Sequence, residues 1–191
     1  DAVIPLYISD TNCPPHFIPG GASKWWLHQS LNALNASLNK QLHVVKGDAS
    51  KIIIEIIQQH NIKKVVWNRC YEPWQIKRDT QLKHLLIEAG IDVQSFNGDL
   101  LWEPWQVLKK DETPYKVFTP YYRRGCLSKP SPRMPVQTPT DLKIEYIPQV
   151  DKGIDSLELM PKINWHNTMQ KMWTPGEKGA AKHLSEFLPS G

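Results

Sequence analysis

The stretch Trp67-Asn68-Arg69-Cys70-Tyr71-Glu72-Pro73-Trp74, continuing to Arg78-Asp79, gathers side chains suited to holding a polar heterocycle. Indole faces stack on planar rings, while amide, carboxylate and guanidinium groups orient a ring's polar edges. Lys63-Lys64-Val65-Val66-Trp67-Asn68 reads as a strand apolar enough for the centre of a parallel sheet. Pro73 fits the first turn of the helix that follows, where its missing N–H costs nothing. The cluster therefore falls at a strand's carboxyl end, the usual ligand crevice of open α/β sheets, beside the free N–H groups of a helix start. Asn68, Glu72 and Arg78 are the candidate orienting groups, with Trp67 or Trp74 as the stacking ring. A structural reading stands beside this one, in which Glu72 caps the helix and Arg78 is a solvated or ion-paired cation. Cys70 has a neighbouring cation in Arg69 that could lower its pKa, but an inert, buried cysteine is the commoner case.

Two further aromatic groups stand out. Trp25 and Trp26 open a helical pattern, and adjacent helical residues point about 100° apart, so one can enter the core while the other faces a cleft. Trp25 is carried as a candidate stacking ring. Tyr115, Phe118, Tyr121 and Tyr122 interleave with Lys116, Arg123 and Arg124, a mix that suits either nucleic acid or a domain-packing face. There is no GxGxxG, Walker loop, HExxH, GxSxG or paired-cysteine motif, and the seven histidines are scattered, so metal ligation is unsupported.

The chain that must position these groups has 191 residues, 40% of them hydrophobic and 22% charged, with mean hydropathy −0.46. That composition excludes wholesale disorder, collagen-like repeats and a disulfide miniprotein. No apolar run approaches the ~20 residues of a membrane span, so no membrane partner is expected. Cys13, Cys70 and Cys126 are three in number and far apart, and Asp1 opens no leader sequence; reduced thiols in the cytoplasm are the expectation. The net charge of +4 permits an anionic partner without requiring one. Eight tryptophans are too many for simple core filling, and several are expected to line a groove or interface.

Strand and helix signals alternate over residues 1–127. Val3 to Ile8 is a first apolar run; Ser23 is a plausible N-cap for a helix whose Leu27, Leu31, Leu34 and Leu38 form one stripe. Leu42 to Val45 is a second strand, and Asp48 or Ser50 can cap a helix carrying Ile52, Ile53, Ile56 and Ile57. After the strand ending at Asn68, Leu82, Leu85 and Leu86 supply a buried helical face, Gly90 suits a C′ position and Asp92 to Phe96 is a fourth strand. The fold class expected is α/β, a Rossmann-like parallel sheet flanked by helices. Residues 128–173 are proline-rich and aperiodic, an extended interdomain linker expected to lie against the domain, and 174–191 begin a helical domain at Thr174-Pro175-Gly176-Glu177.

Several of these stretches together resemble one family. Ala22-Ser23-Lys24-Trp25-Trp26-Leu27-His28, then Trp67-Asn68-Arg69 with Tyr71-Glu72-Pro73 and Arg78-Asp79, occur in that family's order. So do Ser95-Phe96-Asn97-Gly98 with Leu100-Leu101, Glu103-Pro104-Trp105, and Pro114-Tyr115-Lys116-Val117-Phe118-Thr119-Pro120-Tyr121. The chain resembles the N-terminal α/β, antenna-binding domain of DNA photolyases and cryptochromes, and the tryptophan pair leans towards photolyases related to plant cryptochromes.

The resemblance implies light-driven repair of cyclobutane pyrimidine dimers by a deoxyribodipyrimidine photolyase. Reduced FAD, held by a C-terminal helical domain, donates an electron to a flipped-out dimer in damaged DNA. The α/β domain carries a small-molecule antenna, a reduced folate such as methenyltetrahydrofolate or a deazaflavin, and this domain alone is not catalytic. Antenna pockets lie near the strand end carrying Asn68 to Glu72, but Trp74-Gln75 stands where folate-binding relatives carry an Asn-Glu pair; stacking on Trp25 or Trp74 is the alternative. The family's opening strand and Arg-rich turn are not found before Asp1, which predicts unpaired sheet edges and either a strand-exchanged oligomer or an upstream segment. Two other readings stay open, a cryptochrome-type blue-light receptor and a stand-alone nucleotide-binding α/β protein.

Overall fold

Short β-rich runs and longer periodic stretches fold as their patterns dictate, and in a computed structural model they divide into two compact units, Asp1–Gln59 with Asp141–Gly191, and His60–Thr140. The structure describes residues 2–148 and 153–188. Residues 149–152 of the expected linker and the closing Pro189-Ser190-Gly191 lie outside the described residues.

In the first unit β1 (Leu6–Asp10) and β2 (His43–Gly47) run parallel, with Leu6 opposite His43 and Asp10 opposite Gly47. Between them α1 (Gly21–Ser37) starts from Gly20, whose extended backbone already breaks the preceding chain, so Ser23 sits inside the first turn and does not cap it. The expected leucine stripe is three-quarters realised: Leu31 is buried, Leu27 and Leu38 pack on the same cluster, and Leu34 stays 43% exposed. Asp48 caps α2 (Ala49–His60) as expected, its Oδ1 accepting N–H bonds from Ser50 at 3.0 Å and Lys51 at 3.2 Å.

The core of this unit joins Leu31, Leu42 and Val44 to Ile154, Leu157 and Leu159. Those last residues come from the stretch expected to be an extended linker. Residues 128–148 hold no helix or strand, although Val3 bridges to Ile144, donating from its N–H to Lys143 O at 2.9 Å. Beyond them the chain forms a 3-10 turn at Gly153–Leu157, then α5 (Asn167–Met172). Burial of the aliphatic trio supplies the order that periodicity does not announce. The expected helix start at Glu177 is present as α6 (Glu177–Phe187).

In the second unit β3 (Lys64–Asn68) pairs in parallel with β4 (Asp92–Phe96), and α3 (Pro73–Glu88) crosses between them. Pro73 occupies the first turn and Gly90, at φ +78°, takes the left-handed position after the helix, both as expected. Leu82 and Leu86, one turn apart, are buried, whereas Leu85 is turned about 60° away from Leu82 and is 50% exposed. Among the described residues β3 pairs with β4 alone, so its expected central place is not realised, and Val66 remains 52% exposed. Later in this unit α4 (Phe118–Pro120), a single turn, runs into a six-residue π-helical turn at Tyr121–Cys126. Among the described residues no helix is long and apolar enough to cross a membrane.

Candidate functional site

The second unit brings together Asn68, Glu72, Trp74 and Arg78, four of the five sequence candidates, around the end of β3 and the first turns of α3. Most of their neighbours are already engaged with each other. The Arg69 guanidinium donates from Nε to Glu103 Oε1 at 2.8 Å, pairs with the same oxygen through Nη2, and reaches Ser95 Oγ at 3.2 Å from Nη1. Tyr71 donates its hydroxyl proton to Glu103 Oε2 at 2.7 Å. Glu103 closes a reciprocal capping box with Gln106 and is only 4% exposed. The bond to Glu103 raises the Arg69 pKa further above its ordinary value, and burial, then the Glu103 bond, push the Tyr71 phenol upward. Arg69 is a structural cation.

Arg78 answers to the structural reading as well. Its guanidinium lies 5.2 Å from the centre of the Trp74 ring and donates from Nε to Asp79 Oδ1 at 2.8 Å. One face of Trp74 is thereby covered by Arg78. Glu72 occupies the N-cap position with extended backbone, but its side chain makes no capping bond and is exposed. Asn68 is exposed beside Gly98, where an added Cβ would overlap its amide group; glycine permits this approach. The Cys70 thiol is pushed up, first by burial and then by the Asp79 carboxylate, so the activating effect considered for Arg69 is not what governs it.

Trp25, the fifth candidate, belongs to the first unit and is fully enclosed, at 0% exposure. It has no free face on which a ligand could stack. Its neighbour Trp26 does, and the 100° step between adjacent helical residues is the reason. Trp26 is 38% exposed, meets Trp25 edge-on at 6.1 Å and Trp173 edge-on at 6.2 Å. It borders a cleft of about 390 Å³ lined by Ala22, Ser23, Trp26, Leu27, Ser30 and Met169. The cleft is shallow and wide open to solvent, and its small side chains with two hydroxyls beside one indole face offer a surface for a flat, partly polar ring. The Ser23 and Ser30 hydroxyls can bond its edge.

Sequence reasoning missed the partners that shape this cleft. Met169, which lines the cleft, and Trp173, which packs edge-on against Trp26, both lie in the aperiodic region, and the surplus of tryptophan was a signal for Trp173 alone. Trp26, Trp105, Trp165 and Trp173 are each more than a third exposed, and of these Trp26 lines the cleft. Glu103 as the anchor of Arg69 had no local signal. Among the described residues no group of His, Cys, Asp and Glu could hold a metal ion.

Comparison with known proteins fits this architecture. The family model described as DNA photolyase matches residues 1–140. A deoxyribodipyrimidine photo-lyase of Agrobacterium fabrum is 37% identical over 190 residues, covering 97% of this chain and 39% of that protein. Cryptochrome-2 of Arabidopsis thaliana is 32% identical over 199 residues, covering 98% of this chain and 32% of that protein. The crystal structure of a bacterial class III photolyase from Agrobacterium tumefaciens superposes with a TM-score of 0.88 at 38% identity, covering 98% of this chain and 39% of that one. This chain thus spans well under half the length of those relatives, and what it shares with them is their α/β portion. By its sequence and its fold, the chain belongs to the DNA photolyase family.

Proposed function

We propose that this chain serves as the light-collecting α/β portion of a deoxyribodipyrimidine photolyase, holding a flat antenna chromophore in the cleft beside Trp26. The observation that carries the reading is the partly exposed Trp26 indole at the edge of a shallow, open cleft in a chain of this family. A reduced folate is the first candidate and a deazaflavin the second, since both present a planar heterocycle to an indole. Trp26 would stack on the ring, Ser23 and Ser30 would bond its polar edge, and Met169 and Leu27 would exclude water from its rim. When bound, the antenna absorbs light and passes excitation to the parent protein's FAD. Cleavage of pyrimidine dimers in damaged DNA belongs to that parent, and no step of it is assigned to residues of this chain.

Titration with methenyltetrahydrofolate, followed by tryptophan fluorescence, tests the reading. Saturable quenching is expected, weakened roughly two- to tenfold in Trp26→Ala, the scale of one lost aromatic stack. Trp74→Ala should bind like the original chain. Loss of binding in Trp74→Ala alone would move the site to the strand end, and absence of saturable binding by either ligand class would remove the antenna assignment.

A cryptochrome-type receptor is the second reading, favoured by the similarity to a plant cryptochrome across almost the whole chain. Dimer splitting by the parent protein on a thymine-dimer oligonucleotide under blue light separates the two.

A further inference from the structure

After Leu159 the chain leaves the buried core of the first unit and runs back across α1. Its attachments there are rings, methyls and sulfurs. Met160 Sδ accepts from Gln29 Nε2 at 3.9 Å, and the Trp165 ring lies so close over Gly21 that a Cβ there would come within 3.1 Å of it. His166 packs on Trp25 with ring centroids 6.3 Å apart, Met169 enters the cleft, and Trp173 meets Trp26 edge-on at 6.2 Å. Gly176, at φ +95°, passes against the Ala33 methyl before α6 begins. Among the described residues no ion pair or hydrogen bond joins residues 164–173 to α1. The contact also carries a cost. Trp25 is fully enclosed and His166 is 7% exposed, yet Trp25 Nε1 and His166 Nδ1 find no protein partner. A buried polar group without a partner bears a desolvation cost that contact with water removes.

We propose that residues 164–173 form a strap that lifts from α1 and settles again as one piece, and that a ligand beside Trp26 holds it down. Ring-edge contacts without hydrogen bonds to the helix beneath are an attachment that opens well below the free energy of global unfolding. Lifting hydrates the two unpartnered nitrogens at the Trp25–His166 contact, which offsets part of the apolar burial that is lost. The coupling to a ligand comes from how the cleft is built. Ala22, Ser23, Trp26, Leu27 and Ser30 stand on α1, while Met169 alone stands on the strap. A ring touching both walls binds the settled form better than the lifted one, and a ligand shifts an equilibrium by that difference in affinity. The coupling rests on the antenna reading; the motion of the strap does not. The surfaces that part are the inner face of the strap and α1, both within the first unit.

The test is hydrogen exchange of the 191-residue chain, read by mass spectrometry of peptides covering 164–173, α1 and β2. Gly21→Val drives a branched side chain into the Trp165 ring, and Trp165→Ala removes that ring; neither residue lines the cleft. Each should speed exchange at 164–173 about tenfold, the scale of one overpacked or lost contact, and leave β2 unchanged. Circular dichroism of both variants should match the original chain. Methenyltetrahydrofolate at about one hundred times its Kd should slow exchange at 164–173 about tenfold or more, against roughly a hundredfold if the lifted form bound none. Both variants should raise its Kd as the settled fraction falls. The proposal is overturned if neither variant changes exchange at 164–173, the mark of a helix that frays by itself. It is also overturned if β2 speeds up equally, the mark of one cooperative unit, or if the folate binds and leaves exchange at 164–173 unaltered. Absence of folate binding removes the antenna reading instead, and the strap then stands or falls on the two variants.

Discussion

Arg69 and Glu103 lock the end of β3 to the loop after β4: the guanidinium donates from Nε at 2.8 Å to a carboxylate that is 4% exposed, and Tyr71 holds the other carboxylate oxygen at 2.7 Å. This knot, with the Trp105 ring 5.6 Å beneath the Arg69 guanidinium, fixes the strand end from which Asn68 and Glu72 project. Removing Arg69 would leave Glu103 buried without its match, and removing Glu103 would leave a partly exposed guanidinium unpaired.

Glu103→Gln should therefore destabilise the chain by about 2–3 kcal/mol, less than a fully buried pair would lose because Arg69 keeps 32% of its side-chain surface in water. Urea denaturation measures it. Glu103→Leu combined with Arg69→Met should lose less than Glu103→Gln alone; an equal or larger loss would show that the pair itself, and not the abandoned charge, matters.

Acid should act through Asp48. A hydrogen bond from the Asn12 side chain, then the Lys51 and Ser50 backbone bonds, hold its carboxyl below the usual carboxylate range. A group depressed in the folded state stabilises at pH values above its unfolded pKa, and that contribution fades as pH falls through the folded value. Asp48→Ala should cost about 1 kcal/mol at pH 7, the loss of one helix cap, and progressively less on acidification below about pH 4. A penalty that is independent of pH would refute this account.

Cys70 should be a slow thiol. With its pKa raised by burial and by Asp79, it should alkylate with iodoacetamide at pH 7.5 more slowly than a cysteine in a short peptide. Mass spectrometry of the digested protein locates the label, and a rate equal to the peptide's would count against the burial argument.

These local features separate what could be read in advance from what could not. Asp48, Pro73 and Gly90 act on their own backbone neighbourhood, so their identities alone announced a cap, a helix entry and a helix exit. Leu34 and Leu85 misled because spacing marks a helical face but says nothing about how far neighbouring chain extends over it. Trp26 was readable as half of an alternative with Trp25, since helical geometry sends one of the pair outward. Met169 at the cleft and Trp173 against the Trp26 ring were not, because both arrive from the aperiodic region through tertiary packing. Glu103 was invisible as the partner of Arg69 for the same reason.

Both strand pairs have hydrogen-bonding edges with no neighbour among the described residues, and Val66 on β3 is half exposed. Such edges recruit further strands. Light scattering at rising concentration should give masses above 22.0 kDa through exchange of elements between chains. A constant 22.0 kDa at every concentration would exclude that exchange.

Because Leu31, Leu42 and Val44 share one buried cluster with Ile154, Leu157 and Leu159, the first unit is stitched from two distant pieces of chain. During synthesis, the ribosome delivers all of β3, α3 and β4 before the stitch can be made. The later unit in sequence is thus free to fold first, and the earlier one must wait, its leucines uncovered, for the chain to come back.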